Sequence, residues 1–244
     1  MTANGGASPA AADQINPGPA WARPIVKESL ADVAFRTLRE ALMEGHLKPG
    51  EALHLRPMSQ QFGISVTPMR EALLRLVSAG ALMMDDRGTV TVPAFTRSQV
   101  QEIWGIRAEL EGYAAAEAAS RITAGEIAEL KALNNGIVAS VKARDFSGAV
   151  RGNTRFHIAL AAASGQPILV EMIEGLWVRT GPLLWYSYDR EAPRWTPSKH
   201  LTIIEALEAR DAAAARRDIA AEIITGMQGF MKFAEPDPDP PPGT

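Results

Sequence analysis

The spacing of apolar residues changes once along this chain, between Thr91 and Arg97, and that change divides it. Before it, short helical patterns lead into an alternating, strand-like stretch that ends at Pro93; after Ser98 a helical pattern begins and runs almost to the C-terminus. With 244 residues, nearly half of them apolar, the chain can fill two modest cores. Two folded domains are expected, at residues 25–95 and 98–233. Residues 1–24 are rich in Ala, Gly and Pro with no hydrophobic period, and residues 234–244 are acidic and proline-rich, so both ends are predicted to be disordered tails.

In the first domain Leu30, Val33, Ala34, Leu38, Ala41 and Leu42 recur at helical steps until Gly45 and Pro49-Gly50 stop them. A short helix over Pro57–Phe62 follows. Gly63 supplies a tight turn, Thr67 or Ser65 can cap the next helix, and Pro68 suits its first turn. That helix carries Met69, Leu73, Leu76 and Val77 inward and Arg70 and Arg75 outward. After Gly80, Leu82–Met84 and Val90–Val92 read as a hairpin around Asp85-Asp86-Arg87-Gly88. Two helices joined by a glycine turn hold the second proud of the surface, where its N-terminal side chains can enter a DNA major groove. The fold class expected is mainly α: a winged helix-turn-helix with a small β-hairpin wing, then an antiparallel bundle of about six helices.

Composition narrows the chemistry. With no cysteine there is no disulfide, no thiolate nucleophile and no zinc knuckle, so a metal would need His, Asn, Asp or Glu. No run reaches the ~18–20 apolar residues of a membrane span, and the N-terminus does not resemble a signal peptide, which points to the cytoplasm and no membrane partner. Residues 24–97 carry nine Lys/Arg against eight Asp/Glu. DNA affinity must then come from a few placed arginines and from paired heads rather than from a strong positive field.

The run Leu38-Arg39-Glu40-Ala41-Leu42, Gly45, Leu47-Lys48-Pro49-Gly50, then Gly63-Ile64-Ser65-Val66-Thr67-Pro68-Met69-Arg70-Glu71-Ala72-Leu73, Gly80, Arg87-Gly88, resembles the N-terminal domain of the GntR family of transcription regulators. The resemblance implies a repressor or activator that binds double-stranded operator DNA as a homodimer. By position it implies DNA contacts from Arg56, Ser65, Thr67 and Arg70, with Arg87 and Gly88 at the wing tip. Those types suit the task, since arginine pairs with guanine or phosphate and hydroxyls at a helix start bind phosphate. Many members carry arginine where this chain has Val66, so one contact used elsewhere is absent here.

In the second domain Thr123 to Glu126 forms a capping box, Asp145 and Asp211 can cap later helices, and Pro167 and Pro197 can open two more. A bend is expected at Gly181-Pro182. The stretches Asn153-Thr154-Arg155-Phe156-His157 and His200-Leu201-Thr202-Ile203-Ile204-Glu205 look like the FCD effector domain of the FadR-like branch. Asn153 and His157, four apart, share a helix face and can chelate one ion. The resemblance completes the set as Asn153, His157, His200 and Glu222, two of which differ from the Asp and His usual in metal-binding members. Such nitrogen and oxygen donors suit a divalent metal, zinc first, with nickel or manganese as alternatives. Asn153 and His157 could instead bond to each other. The resemblance also places Arg107 where members present arginine to an acidic effector, and Arg155 and Trp185, with Trp177, Tyr186 and Tyr188, could wall the same cavity. A small organic acid is the ligand expected.

Two rival functions stay open at this level. One is a metal-dependent hydrolase or lyase built on His157, His200 and Glu222, though no His-Glu-x-x-His pattern supplies a base. The other is a helical interaction protein whose head has lost DNA binding.

Overall fold

The computed structural model describes residues 29–188 and 198–238. Helix α1 (Leu30–Met43) starts where the Ser29 hydroxyl accepts the Asp32 amide proton, and it buries Ala34, Leu38 and Leu42 on one face. Strand β1 (Ala52–Leu53) leads into α2 (Leu55–Phe62). Gly63, at φ 64°, adopts the left-handed conformation that side chains disfavour, and this turn sets α2 against α3 (Val66–Ser78). Helix α3 buries Met69, Ala72, Leu73 and Leu76 and packs along α1. Arg75 faces outward as expected, pairing with the exposed Asp32 at 2.8 Å and lying over the Phe35 ring.

Strands β2 (Met83–Met84) and β3 (Val90–Thr91) form the expected hairpin, whose tip is shaped by the Asp85 carboxylate accepting the Arg87 and Thr89 amides. The sheet has one strand more than the sequence pattern suggests. β1 pairs antiparallel with β3, Leu53 opposite Val90, giving the order β1-β3-β2. Two residues are too few for alternation to betray a strand.

The rest is helical: α4 (Arg97–Arg121), α5 (Ala124–Ala143), α6 (Phe146–Ala162), α7 (Pro167–Thr180), a 3-10 segment (Gly181–Tyr188), α8 (Ser198–Glu208) and α9 (Ala212–Phe230). The caps stand where the sequence places them. Thr123 and Glu126 form a reciprocal box at α5, and Asp145 and Asp211 cap α6 and α9. The expected bend at Gly181-Pro182 is the switch from α7 to the 3-10 segment, while Pro197 lies outside the described residues. Helix α4 runs along α9, α5 packs on α6, and α8 on α9, around a core that includes Trp104, Phe156, Leu160, Ile203 and Ile219. No described helix is long and apolar enough to cross a membrane.

The two halves do not keep separate cores. Leu169, Ile173, Trp177 and Val178 of α7, with Ala114 and Ala161, are buried in one cluster with Leu38, Leu42, Met69, Leu73 and Leu76 of the head. Polar contacts reinforce the seam: Arg39 pairs with Glu174 at 2.6 Å, and the Thr154 hydroxyl donates to the Met43 carbonyl at 3.2 Å. Gly45 sits so close to the 3-10 segment that a Cβ there would lie 2.8 Å from the Trp185 backbone nitrogen.

The chain following α9 is also held. Residues 234–238, assigned to a disordered tail by composition, run beside the interdomain linker: the Glu235 amide donates to the Phe95 carbonyl, and the Arg97 amide to the Glu235 carbonyl. Asp237 accepts from the Ser98 amide and hydroxyl, at the start of α4. Ala234 is buried with Phe95 and Phe230, so apolar contact outweighs a composition that reads as solvated.

Candidate DNA-reading face and effector site

Arg56, Ser65, Thr67, Arg70, Arg87 and Gly88 are all exposed. The helix-turn-helix brings them together. Ser65 is the N-cap of α3 and its hydroxyl makes no capping bond, so hydroxyl and first-turn amides are both open to an anion. Thr67 follows in that turn. Arg70, one turn further, faces Arg87 and Gly88 of the wing across a groove of about 230 Å³, floored by Leu73, Leu74 and Met84. Helix and wing thus present guanidinium groups from two directions, as a backbone-gripping, groove-reading surface needs. Val66, at the first position of α3, exposes an apolar side chain in the same place.

The second site is buried. On α6, His157 points its Nδ1 at the Glu111 carboxylate of α4, 2.7 Å away, and its Nε2 toward Glu222 of α9, 3.4 Å away. One ligand atom each from His157, His200 and Glu222 falls within 4.8 Å of the others. Burial, then the charge of His157, pushes the His200 imidazole down to about 2, so it is neutral and its lone pair can serve a metal. A tetrahedral ion with bonds of about 2.1 Å separates its ligands by about 3.4 Å, the spacing found between His157 and Glu222. Asn153, one turn before His157, has a buried side-chain oxygen with no hydrogen-bond partner, and it does not bond to His157. Two nitrogens, one carboxylate and an unused amide oxygen are a donor set a divalent ion fits.

Arg107 is buried beside this cluster, but its charge is already engaged. Its Nε donates to Glu111 at 2.9 Å, and its guanidinium lies 3.9 Å from the centre of the Trp177 ring. Trp177 Nε1 donates to the same Glu111 oxygen at 3.1 Å. Burial alone would raise the Glu111 carboxyl, yet Arg107 and His157, by charge and hydrogen bonds, hold it at about 2. Sequence reasoning missed Glu111, although its step of four from Arg107 was a readable signal.

Two other expected effector residues lie elsewhere. Arg155 is exposed, turned with Arg151 into a surface groove of about 380 Å³ between α5 and α6. Two residues before His157 on a helix means the opposite face, so it cannot reach the buried cluster. Trp185 packs on the head, with the Lys48 ammonium 5.0 Å from its ring centre. It belongs to the seam between the halves. Tyr186 stacks on Phe233, and the Tyr188 side chain lies outside what is described.

Residues 30–92 match the family model "Bacterial regulatory proteins, gntR family", and residues 102–223 match the FCD domain. The chain is 39% identical over 186 residues to the HTH-type transcriptional regulator McbR of Escherichia coli (strain K12), covering 75% of this chain and 84% of that protein. It is 25% identical over 184 residues to the HTH-type transcriptional repressor RspR of the same strain, with 75% and 81% covered. The solved structure of E. coli McbR/YncC superposes with a TM-score of 0.80 at 35% identity, covering 85% of this chain and 99% of that one. A putative GntR regulator from Rhodococcus sp. RHA1, at 18% identity and a TM-score of 0.69, covers 84% and 99% and shares the fold.

Proposed function

Since this chain belongs to the GntR family of transcriptional regulators and carries an FCD effector domain, we propose that it controls operator binding by sensing a small organic acid at a divalent metal held by His157, His200, Glu222 and Asn153. Family membership leaves no place for the hydrolase or the scaffold reading. Zinc is the first choice of ion, with nickel and manganese as alternatives. A bound ion would supply a Lewis-acidic position for an effector carboxylate.

The observation that carries the proposal is Trp177. Its indole bonds to Glu111 beside the donor cluster, while its ring is part of the apolar core it shares with the head. A ligand that shifts α7 therefore acts on the body that carries α3, without an intervening flexible joint. Coupling of ~1–3 kcal/mol between effector and DNA is the scale expected.

The working unit is a homodimer in the cytoplasm. Ile106 and Tyr113 on α4 and Ile168 and Met172 on α7 are exposed, and the Gln166 side chain donates to the Tyr113 hydroxyl where the helices meet. A second copy seated on this apolar face would pair two heads for two half-sites. The test is metal analysis of purified protein together with gel shifts on the DNA upstream of its gene, with and without citrate or other small organic acids. Absence of metal, and DNA binding indifferent to every acid tried, would remove the sensor reading.

A further inference from the structure

We propose that Glu111 is a positioning residue for the metal centre: it selects the one His157 tautomer that can bind an ion. The inference rests on the reading that His157, His200 and Glu222 hold a divalent metal.

The two carboxylate oxygens of Glu111 have separate duties. Oε1 accepts from Arg107 Nε at 2.9 Å and from Trp177 Nε1 at 3.1 Å; Oε2 accepts from His157 Nδ1 at 2.7 Å. A carboxylate has only acceptors, so the nitrogen facing it must carry a proton. Nε2, directed at Glu222 3.4 Å away, is then the nitrogen left to give up its proton and ligate when an ion enters between His157, His200 and Glu222. With an ion on Nε2 the imidazole is neutral, and only the tautomer protonated on Nδ1 can both ligate and donate to Glu111. Arg107 and Trp177 are themselves buried and lock the carboxylate plane, so the Glu111 side chain cannot rotate away from His157.

The same geometry says what an isosteric change does. In Glu111→Gln the amide oxygen must take the Oε1 place, because both neighbours there are donors. Its NH₂ group then faces His157 Nδ1, which is forced to accept, and the proton moves to Nε2. The variant keeps shape and packing but presents N–H to the ion.

The experiment uses the full chain with zinc as probe. Zinc affinity is measured by chelator competition for wild type and Glu111→Gln, and ¹⁵N NMR of labelled histidine reads the protonation of each His157 nitrogen. Wild type should show Nδ1 protonated, with Nε2 moving to the metal-bound range on adding zinc. Glu111→Gln should show Nδ1 without its proton and Nε2 protonated, and bind zinc at least roughly 10–100-fold more weakly. If wild type binds zinc and the variant binds equally well with Nδ1 still protonated, the inference fails while the metal reading stands. If wild type takes up no zinc, the metal reading fails first and the inference with it. Should the variant not fold, the wild-type spectrum decides, because zinc on Nδ1, or zinc-loaded protein with no proton on Nδ1, overturns the assignment.

Discussion

Replacing Ile173 by Ala tests the shared core directly. Ile173 belongs by sequence to the helical domain, yet it is fully buried in the cluster that includes Leu38, Leu42, Met69 and Leu73 of the head. The change deletes three carbons. At about 0.8 kcal/mol per buried methylene that is roughly 2.4 kcal/mol of transfer, and the cavity left behind raises the expected loss to about 3–4 kcal/mol. Urea denaturation followed by circular dichroism gives the total, and hydrogen exchange locates it. One transition is expected in wild type, and in the variant the amides of α3 should lose protection by the same free energy as those of α5. A loss below 1 kcal/mol, or a head whose protection is untouched while the helical domain weakens, would show that the halves are independent and that α7 is no lever.

Further expectations follow from the two sites. Arg70→Ala should weaken operator binding by about 1–3 kcal/mol and relax base preference, whereas Arg87→Ala should weaken all DNA and lower the salt slope by about one, both read in a titrated gel shift. Metal-free protein should lose stability below pH 6.5 because of His200: its folded value lies near 2, so between those limits the unfolded chain binds one more proton, and stability falls by about 1.4 kcal/mol per unit of acidification. Urea melts from pH 7 to 5 check this, and His200→Phe should flatten that slope. Truncation after Phe233 should speed hydrogen exchange at the Arg97 amide, whose acceptor is the Glu235 carbonyl. Asp237→Asn should do the same at Ser98, the group that lowers the Asp237 carboxyl by hydrogen bonds from its hydroxyl and amide.

Local signals carried much of the fold. The Gly63 turn, the Thr123-Glu126 box, the Asp145 and Asp211 caps and the Asp85–Thr89 tip are decided by residues within a few positions of each other, so they could be read before any packing was known. The exposed DNA-reading set is of the same kind, because α3 must turn Arg70 outward once Met69 and Leu73 turn in. Periodicity likewise put Asn153 and His157 on one face of α6. It also held the means to exclude Arg155, which that same period points away from His157.

The amino-acid sequence alone determined where helices begin, which side of each is apolar, and which short-range pairs could share a face. Only the tertiary structure decided that Glu111 orients His157, that Trp185 seals the seam instead of the pocket, that Glu235 pairs with the linker, and that Ile173 and Trp177 stabilise the head. These are contacts between residues tens to well over a hundred positions apart, and no spacing rule encodes them. They exist because buried polar groups must find partners and apolar faces must be covered, and which partner or cover is used depends on how the helices come together.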